Sequence, residues 1–401
     1  MATRILSQVL TQVALRPPHL LLFELLISSA TIGFTSPHSL VCPAAVPLLG
    51  VCVYSIVRTS TLYMRSRWAA LRGGFSFTIL LQYLDLAVIN GSSKEILLDR
   101  FKFGWNSMWA FRRVGMLEEA KNVPPFSNTD RSYIPSRWAF VSRQAAAAFT
   151  CYLLLDMLGS RKPPANAREL FNPELVLLFA RLSGVTAAEI KRRALAIAGF
   201  AVTFYCVIQG FQSLSATVAV ALGLSKVENW RPAFGSVADA YCLKNVWVKF
   251  WHQLLRRPLT GPSSAIVHDV LRRPRGSPLA GSVTLILTFA LSGALHTVAG
   301  VASGMPLRKL GVFRFFCTQG FGVLLEQAVV SIFRRENGQG KESMRPPIAL
   351  RALGYAWVAA FMTWSGPAWI YPQAARQSTE AAASILPFSM VEVVRKMRSY
   401  S

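Results

Sequence analysis

The sequence predicts an all-α, multi-pass integral membrane protein, and three observations carry that prediction. Hydrophobic residues fill 52% of the 401 positions and charged residues only 15%, with a mean hydropathy of +0.37, a balance far from that of a soluble domain. Apolar runs long enough to cross a hydrocarbon core of about 30 Å, which takes about 20 helical residues, recur along the chain. Between them stand stretches such as NVPPFSNTD, RKPPANAREL and RRENGQGKESMRPP, whose Pro, Gly and charged residues mark connecting loops.

In chain order the apolar runs cover residues 19–35, 39–57, 74–90, 138–158, 194–224, 279–303, 310–332 and 348–370. The first could serve as a signal peptide, but no small-residue cleavage site follows it and further apolar segments do, so it is read as the first membrane helix. The run 194–224 would rise about 46 Å as a helix, long for one upright span and short for two, so about eight or nine spans are expected. No internal repeat and no soluble catalytic module stand out, and residues 1–401 are read as one integrated membrane domain. Any chemistry is then done at the membrane.

Lys and Arg total 43 against 19 acids, a formal charge of +24. Ionised groups are costly in hydrocarbon, so the excess belongs in loops. Residues 58–73 carry Arg58, Arg65, Arg67 and Arg72 with no acid, and residues 225–278 carry nine basic residues against three acidic ones; both are expected on the cytosolic side. Nucleic acid is not the expected partner, because no soluble block holds the charge and no nucleic-acid motif occurs. A phosphorylated co-substrate at the membrane surface fits better. The six cysteines, Cys42, Cys52, Cys151, Cys206, Cys242 and Cys317, show no C-x-x-C or paired spacing and read as small buried residues. G-x-S-x-G, Walker, H-E-x-x-H and strand-linked G-x-G-x-x-G motifs are absent, and no metal ligand set is apparent.

Five histidines remain. His19 and His38 stand beside prolines at the edges of early spans, where an interfacial or turn role is expected, and His268 in SSAIVHDV reads as a solvated loop residue. His296, in LTFALSGALHTVAG, lies within an apolar run, where an ionisable residue is a functional candidate by default. On a helix its neighbours four and three residues away are Ser292, Gly293, Ala299 and Gly300, all small. They allow either close helix packing with the imidazole bridging two helices, or a cavity in which a neutral histidine acts as general base.

His252 stands in YCLKNVWVKFWHQLLRR, residues 241–257. At helical spacing Leu243, Trp247, Phe250 and Leu254 share an apolar face, while Asn245, Lys249, His252 and Arg256 repeat the spacing on the opposite side. Such a helix suits a boundary, where Lys249, Arg256 and Arg257 could meet anionic headgroups. The preceding ENWRPAFGSVADAY, with Trp230, Pro232, Phe234 and Gly235, reads as a rigid turn that delivers it.

The block NWRPAFGSVADAYCLKNVWVKFWHQLLRR, followed by the SGALH that ends in His296, resembles the wax synthase-like branch of the membrane-bound O-acyltransferases. GWNSMWAFRRVGMLEEAKNVPPF and SRQAAAAFTCYLLLDML extend the resemblance over residues from about 100 to 305, and within that branch the chain is most similar to fungal acetyltransferases that decorate terpenoids and meroterpenoids. The resemblance implies a fold of that family and a place in the endoplasmic reticulum membrane. It also implies transfer of an acetyl group from acetyl-CoA to a hydroxyl of a terpenoid or meroterpenoid, with no permanently bound cofactor. His296 maps to the family's intramembrane base. His252 maps to its second polar position, where many members carry asparagine, so His252 could be chemically active or could orient substrate beside Asn245. CoA would meet Lys244, Lys249, Arg256 and Arg257 from the cytosol, and the apolar alcohol would arrive through the bilayer to the cavity lined by Asn245, Ser292, Gly293, Ala299 and Gly300. A wax synthase using long-chain alcohols is the alternative within the same chemistry. A transporter is the alternative outside it, although the inverted halves and paired broken helices it calls for are not evident.

Overall fold

A computed structural model describes residues 17–36, 39–89, 97–116, 118–161, 164–336, 346–377 and 385–399. His38 and most of the RRENGQGKESMRPP segment lie outside them. The described residues contain helices and turns and no strand. The longer helices are α1 (Pro17–Phe34), α2 (Val41–Tyr63), α3 (Ser66–Tyr83), α4 (Leu97–Trp109), α5 (Arg137–Gly159), α6 (Ala187–Ala221), α7 (Arg256–Ala265), α8 (Pro278–Ala302), α9 (Val312–Glu336), α10 (Ile348–Ser365), α11 (Pro367–Gln377) and α12 (Met390–Ser399).

Each expected apolar range up to residue 332 holds one α-helix, continued in 74–90 by the π-helical turn Leu84–Ile89, whereas 348–370 holds α10 and, after a turn at Gly366, the start of α11. Among the described residues, α2, α6, α8 and residues Val312–Phe333 of α9 are both long and apolar enough to cross a membrane, and the shorter His19–Phe34 is apolar as well. Helices α3, α5 and α10 overlap their expected ranges but are not among these spans. The run 194–224 is a single helix of 35 residues that starts at 187, about 52 Å long. Its first turns carry Glu189, Lys191, Arg192 and Arg193 and are thus not hydrocarbon-spanning in character. Thr186 caps this helix by accepting from the Glu189 N–H, and Ser277 caps α8 ahead of a proline in its first turn, which is where a missing N–H costs nothing.

The basic segment 58–73 is not a loop. Helix α2 runs through Tyr63 and α3 begins at Ser66, because arginine is a good helix former and its long stem can carry the charge outward. His268 likewise is not in a loop: it lies on the π-helical turn Ile266–Val270 that ends α7, half-buried, with Nδ1–H donating to the Arg273 carbonyl at 2.7 Å. His19 is exposed in the first turn of α1. The six cysteines are free, four of them buried.

The chain forms two compact units, Met1–Arg113 with Leu254–Phe321, and Val114–Gln253 with Gly322–Ser401. In the first, α3 packs on α8 and on α2, α1 packs on α2 and α4, and α7 lies against α8 and the π-helical turn Leu84–Ile89 that extends α3. Gly33 and Gly104 bring α1 and α4 into backbone contact, since a Cβ at either would collide with the other helix's carbonyl. In the second unit α5 lies along α6, which also carries α10 and α11, and α12 packs on α5.

Candidate active site

The segment 241–257 is not one amphipathic helix. In the second unit, residues 227–253 contain a 3-10 turn (Val227–Trp230), another (Val237–Asp239), one α-turn (Leu243–Asn245) and a π-helical turn (Val246–Phe250), after which the chain runs extended at Trp251. Tertiary hydrogen bonds end the helix there: the Gly235 N–H donates to the Phe250 carbonyl at 2.9 Å and the Gln253 N–H to the Ala233 carbonyl at 3.1 Å. These bonds satisfy backbone groups that a continued helix would have paired internally, so the tertiary context overrides the periodicity. A Cβ at position 235 would collide with the Lys249 carbonyl, so glycine is needed for this approach. The turn around Trp230–Gly235 is thus fastened against the residues that precede and follow His252.

His252 therefore lies in the break and not midway along a polar stripe. Its ring is half-buried and packs edge-on against Phe234, with centroids 5.9 Å apart, and beside Trp251 at 5.7 Å. Its Nδ1 is enclosed without a hydrogen-bond partner. Burial pushes its pKa down to about 4, so the imidazole is neutral at physiological pH and can exchange hydrogen bonds but not serve as a fixed cation. Asn245 is buried at 8% exposure, inside the fold and not on the outer face that the periodicity gave it. Lys244 and Lys249 are exposed, and Lys244 Nζ lies 3.5 Å from Gln327 Oε1.

The other two cations of the expected basic face belong to the first unit, where they open α7. Arg257 Nη2 donates to Asp85 Oδ1 at 3.3 Å, and Arg113 Nη2 donates to Asp85 Oδ2 at 2.6 Å. Asp85 is fully buried on the Leu84–Ile89 turn, with its carboxylate where a Cβ at Gly261 of α7 would stand. Arg257 is therefore bound to a carboxylate rather than presented freely, and Arg256 is half-buried beside it in sequence. The four cations do not share one helix face.

His296 is placed by α8. Its ring stacks on Phe316 of α9 with centroids 4.8 Å apart and planes 3° from parallel, which fixes the orientation of a half-buried imidazole. Several of the small residues around it stand close to their neighbours. A Cβ at Gly293 would come within 3.1 Å of the Phe313 backbone, and one at Gly300 within 2.7 Å of the Leu310 side chain. Ala299 faces Gly74 of α3, Ser292 is buried, and Leu295 packs with Leu81 and Leu259. Gly293, Ala299 and Gly300 thus each stand close to a neighbouring segment, at Phe313, Gly74 and Leu310. His296 belongs to the first unit and His252 to the second.

Asp85, Phe316 and Glu326 were not singled out from sequence. Glu326 of α9 accepts from the N–H groups of Leu243 and Lys244 at 2.7 and 3.1 Å and from Trp357 Nε1 at 3.2 Å. Asp85 and Glu326 are each the single acid of their apolar run, and that isolation was the signal available. Among the described residues no group of three His, Cys, Asp or Glu side chains gathers as a metal ligand set.

Residues 230–318, which include both histidines, match the membrane bound O-acyl transferase family. The chain is 34% identical to the acetyltransferase fsoF of Humicola fuscoatra over 276 residues, which is 66% of this chain and 65% of that protein. It is 34% identical to the acetyltransferase aurG of Calcarisporium arbuscula over 295 residues, 72% of this chain and 69% of the relative. It is 33% identical to the acetyltransferase pyr8 of Aspergillus fumigatus over 301 residues, 74% and 69% of the two chains. Relatives matched to that extent, together with a family match over residues that include His252 and His296, mean that the chain belongs to the membrane bound O-acyl transferase family.

Proposed function

We propose that this acyltransferase moves an acetyl group from acetyl-CoA to a hydroxyl of a terpenoid or meroterpenoid, in the endoplasmic reticulum membrane. The observation that carries the proposal is the family match over residues 230–318, with relatives that are named acetyltransferases. In the proposed reaction His296 takes the proton of the acceptor hydroxyl as its oxygen attacks the thioester carbon. The C–S bond then breaks, and the proton passes to the departing CoA sulfur. The products are an acetate ester and CoA, with no net change in protons. The stack on Phe316 supports the role of base by fixing the ring. The low pKa of His252 suits a neutral hydrogen-bonding group that orients the acetyl carbonyl. Exposed Lys244 and Lys249 would meet the phosphates of CoA.

The test is untargeted product analysis of a host that makes the chain, fed a panel of terpenoid alcohols, with His296→Ala, His296→Gln and His296→Asn beside the wild type. A general base predicts that all three lose turnover by roughly 100- to 10,000-fold, about 3 to 5 kcal/mol of barrier, at equal protein level. Near-normal turnover in the Gln or Asn variant would sink the base assignment. Esters formed only from long-chain alcohols would replace the terpenoid assignment with wax synthesis.

A further inference from the structure

Glu326 is a carboxylate in the apolar stretch Val312–Phe333, where a charge is costly unless it is fully engaged. Its three donors are two backbone N–H groups, of Leu243 and Lys244, and the indole of Trp357 on α10. The N–H groups open the α-turn Leu243–Asn245, whose first donors have no partner within a turn so short. Two further contacts bind the approach to this turn onto α10. Tyr355 Oη donates to the Val237 carbonyl at 2.8 Å, and Gly354 lets the Tyr241 carbonyl approach so closely that a Cβ there would collide with it. Downstream, the Gly235–Phe250 and Ala233–Gln253 bonds hold the other end, on either side of His252. The segment 237–253 is thus clamped at two ends. The first clamp is built around one ionisable residue of the second unit.

We propose that Glu326 is a positioning residue for acyl transfer, its carboxylate setting the register of the 243–253 segment so that Lys244, Asn245 and His252 are held where the reaction uses them. The proposal rests on the acetyl-transfer reading. Hydrogen bonds from N–H groups to a carboxylate are roughly twice as strong as neutral ones, and an amide oxygen at 326 would keep one acceptor without the charge. Cys242 provides a local reporter: it precedes the turn, and burial, with Glu326 adding to it, pushes its thiol up to about 11.

Glu326→Ala, Glu326→Gln and Trp357→Phe are compared with wild type in microsomes, using radiolabelled acetyl-CoA and the most active alcohol of the panel. Glu326→Ala is expected to lower kcat by about 10- to 100-fold while KM for the alcohol stays within about twofold; Glu326→Gln, and Trp357→Phe with one of the three donors removed, are expected to fall between. Maleimide labelling of Cys242, read by mass spectrometry of its peptide, is expected to speed up at least about threefold in the Ala variant and less in the Gln variant, as a loosened, less shielded thiol requires. Unchanged kcat, or loss of kcat with Cys242 labelling still at the wild-type rate, overturns the proposal. Should the Ala variant not accumulate, Glu326→Gln decides by the same two readouts. If the wild type forms no ester from any alcohol, the acetyl-transfer reading fails, and Cys242 labelling alone decides whether Glu326 sets the segment.

Discussion

Four of the apolar runs contain a single carboxylate each, Glu24, Asp85, Asp156 and Glu326, and each meets a donor. Ser76 Oγ donates to Glu24, two arginines to Asp85, the Val391 N–H to Asp156, and two N–H groups with an indole to Glu326. An isolated acid in such a run therefore marks a tertiary connection, a signal the sequence contains but does not resolve into partners. His252 shows the same limit from the opposite side, since its residue type was legible and its surroundings were not. Its pKa near 4 in the fold against 6.5 in an unfolded chain means that between those values the unfolded state binds more protons. Stability therefore falls as pH drops from about 6.5 to about 4, by up to about 3 kcal/mol. The thermal midpoint of the wild type in detergent should drop more between pH 7.5 and 5 than that of His252→Asn, which cannot titrate there. An equal drop in both would show that His252 is not the acid-sensitive group. Because the resemblance allows asparagine at this position, His252→Asn should also keep measurable turnover, and His252→Ala should keep less.

At the scale of elements, the longest helices follow from composition, and α8 begins and ends within one residue of its expected range. What the sequence left open was whether its small residues make space or contact. Gly293 faces backbone atoms of Phe313, which cannot move aside, whereas Gly300 faces the end of the Leu310 side chain, which can change rotamer. Gly293→Ala should therefore destabilise by about 1–3 kcal/mol through overpacking, and Gly300→Ala by less. Thermal midpoints of the two variants check the order, and a reversed order would refute this packing account. The segment 241–257 failed as a helix for a related reason: its period of apolar residues was real, but Gly235 and Ala233 offered backbone partners that no pattern within the segment encodes. Local periodicity reports which side chains prefer burial, not which backbone groups will find a neighbour.

For the whole molecule, the excess of 43 basic residues over 19 acidic ones was legible as a surface and loop property, yet its cations are not equivalent. Arg257 is engaged with Asp85, while Lys244 and Lys249 are exposed. If the lysines meet CoA, Lys244→Glu with Lys249→Glu should raise KM for acetyl-CoA by at least about fivefold and KM for the alcohol little, and added salt should weaken the wild type in the same sense. Equal rises for both substrates would assign the lysines to lipid contact or folding instead.

The sequence by itself determined the helical membrane class, the positions of the apolar helices, the family through the block around His252 and His296, and the residue types available for chemistry, because hydropathy, periodicity and motif spacing are properties of the chain alone. Only the tertiary structure decided that the helix expected to carry His252 breaks at Trp251, that Arg257 and Arg113 share Asp85, that Phe313 and Leu310 stand against Gly293 and Gly300, and that Glu326 holds the Leu243 turn. Each of these depends on a partner far away in the chain, and the free energy that selects it, a buried charge finding its counterpart or a backbone group its donor, exists only once the two are brought together.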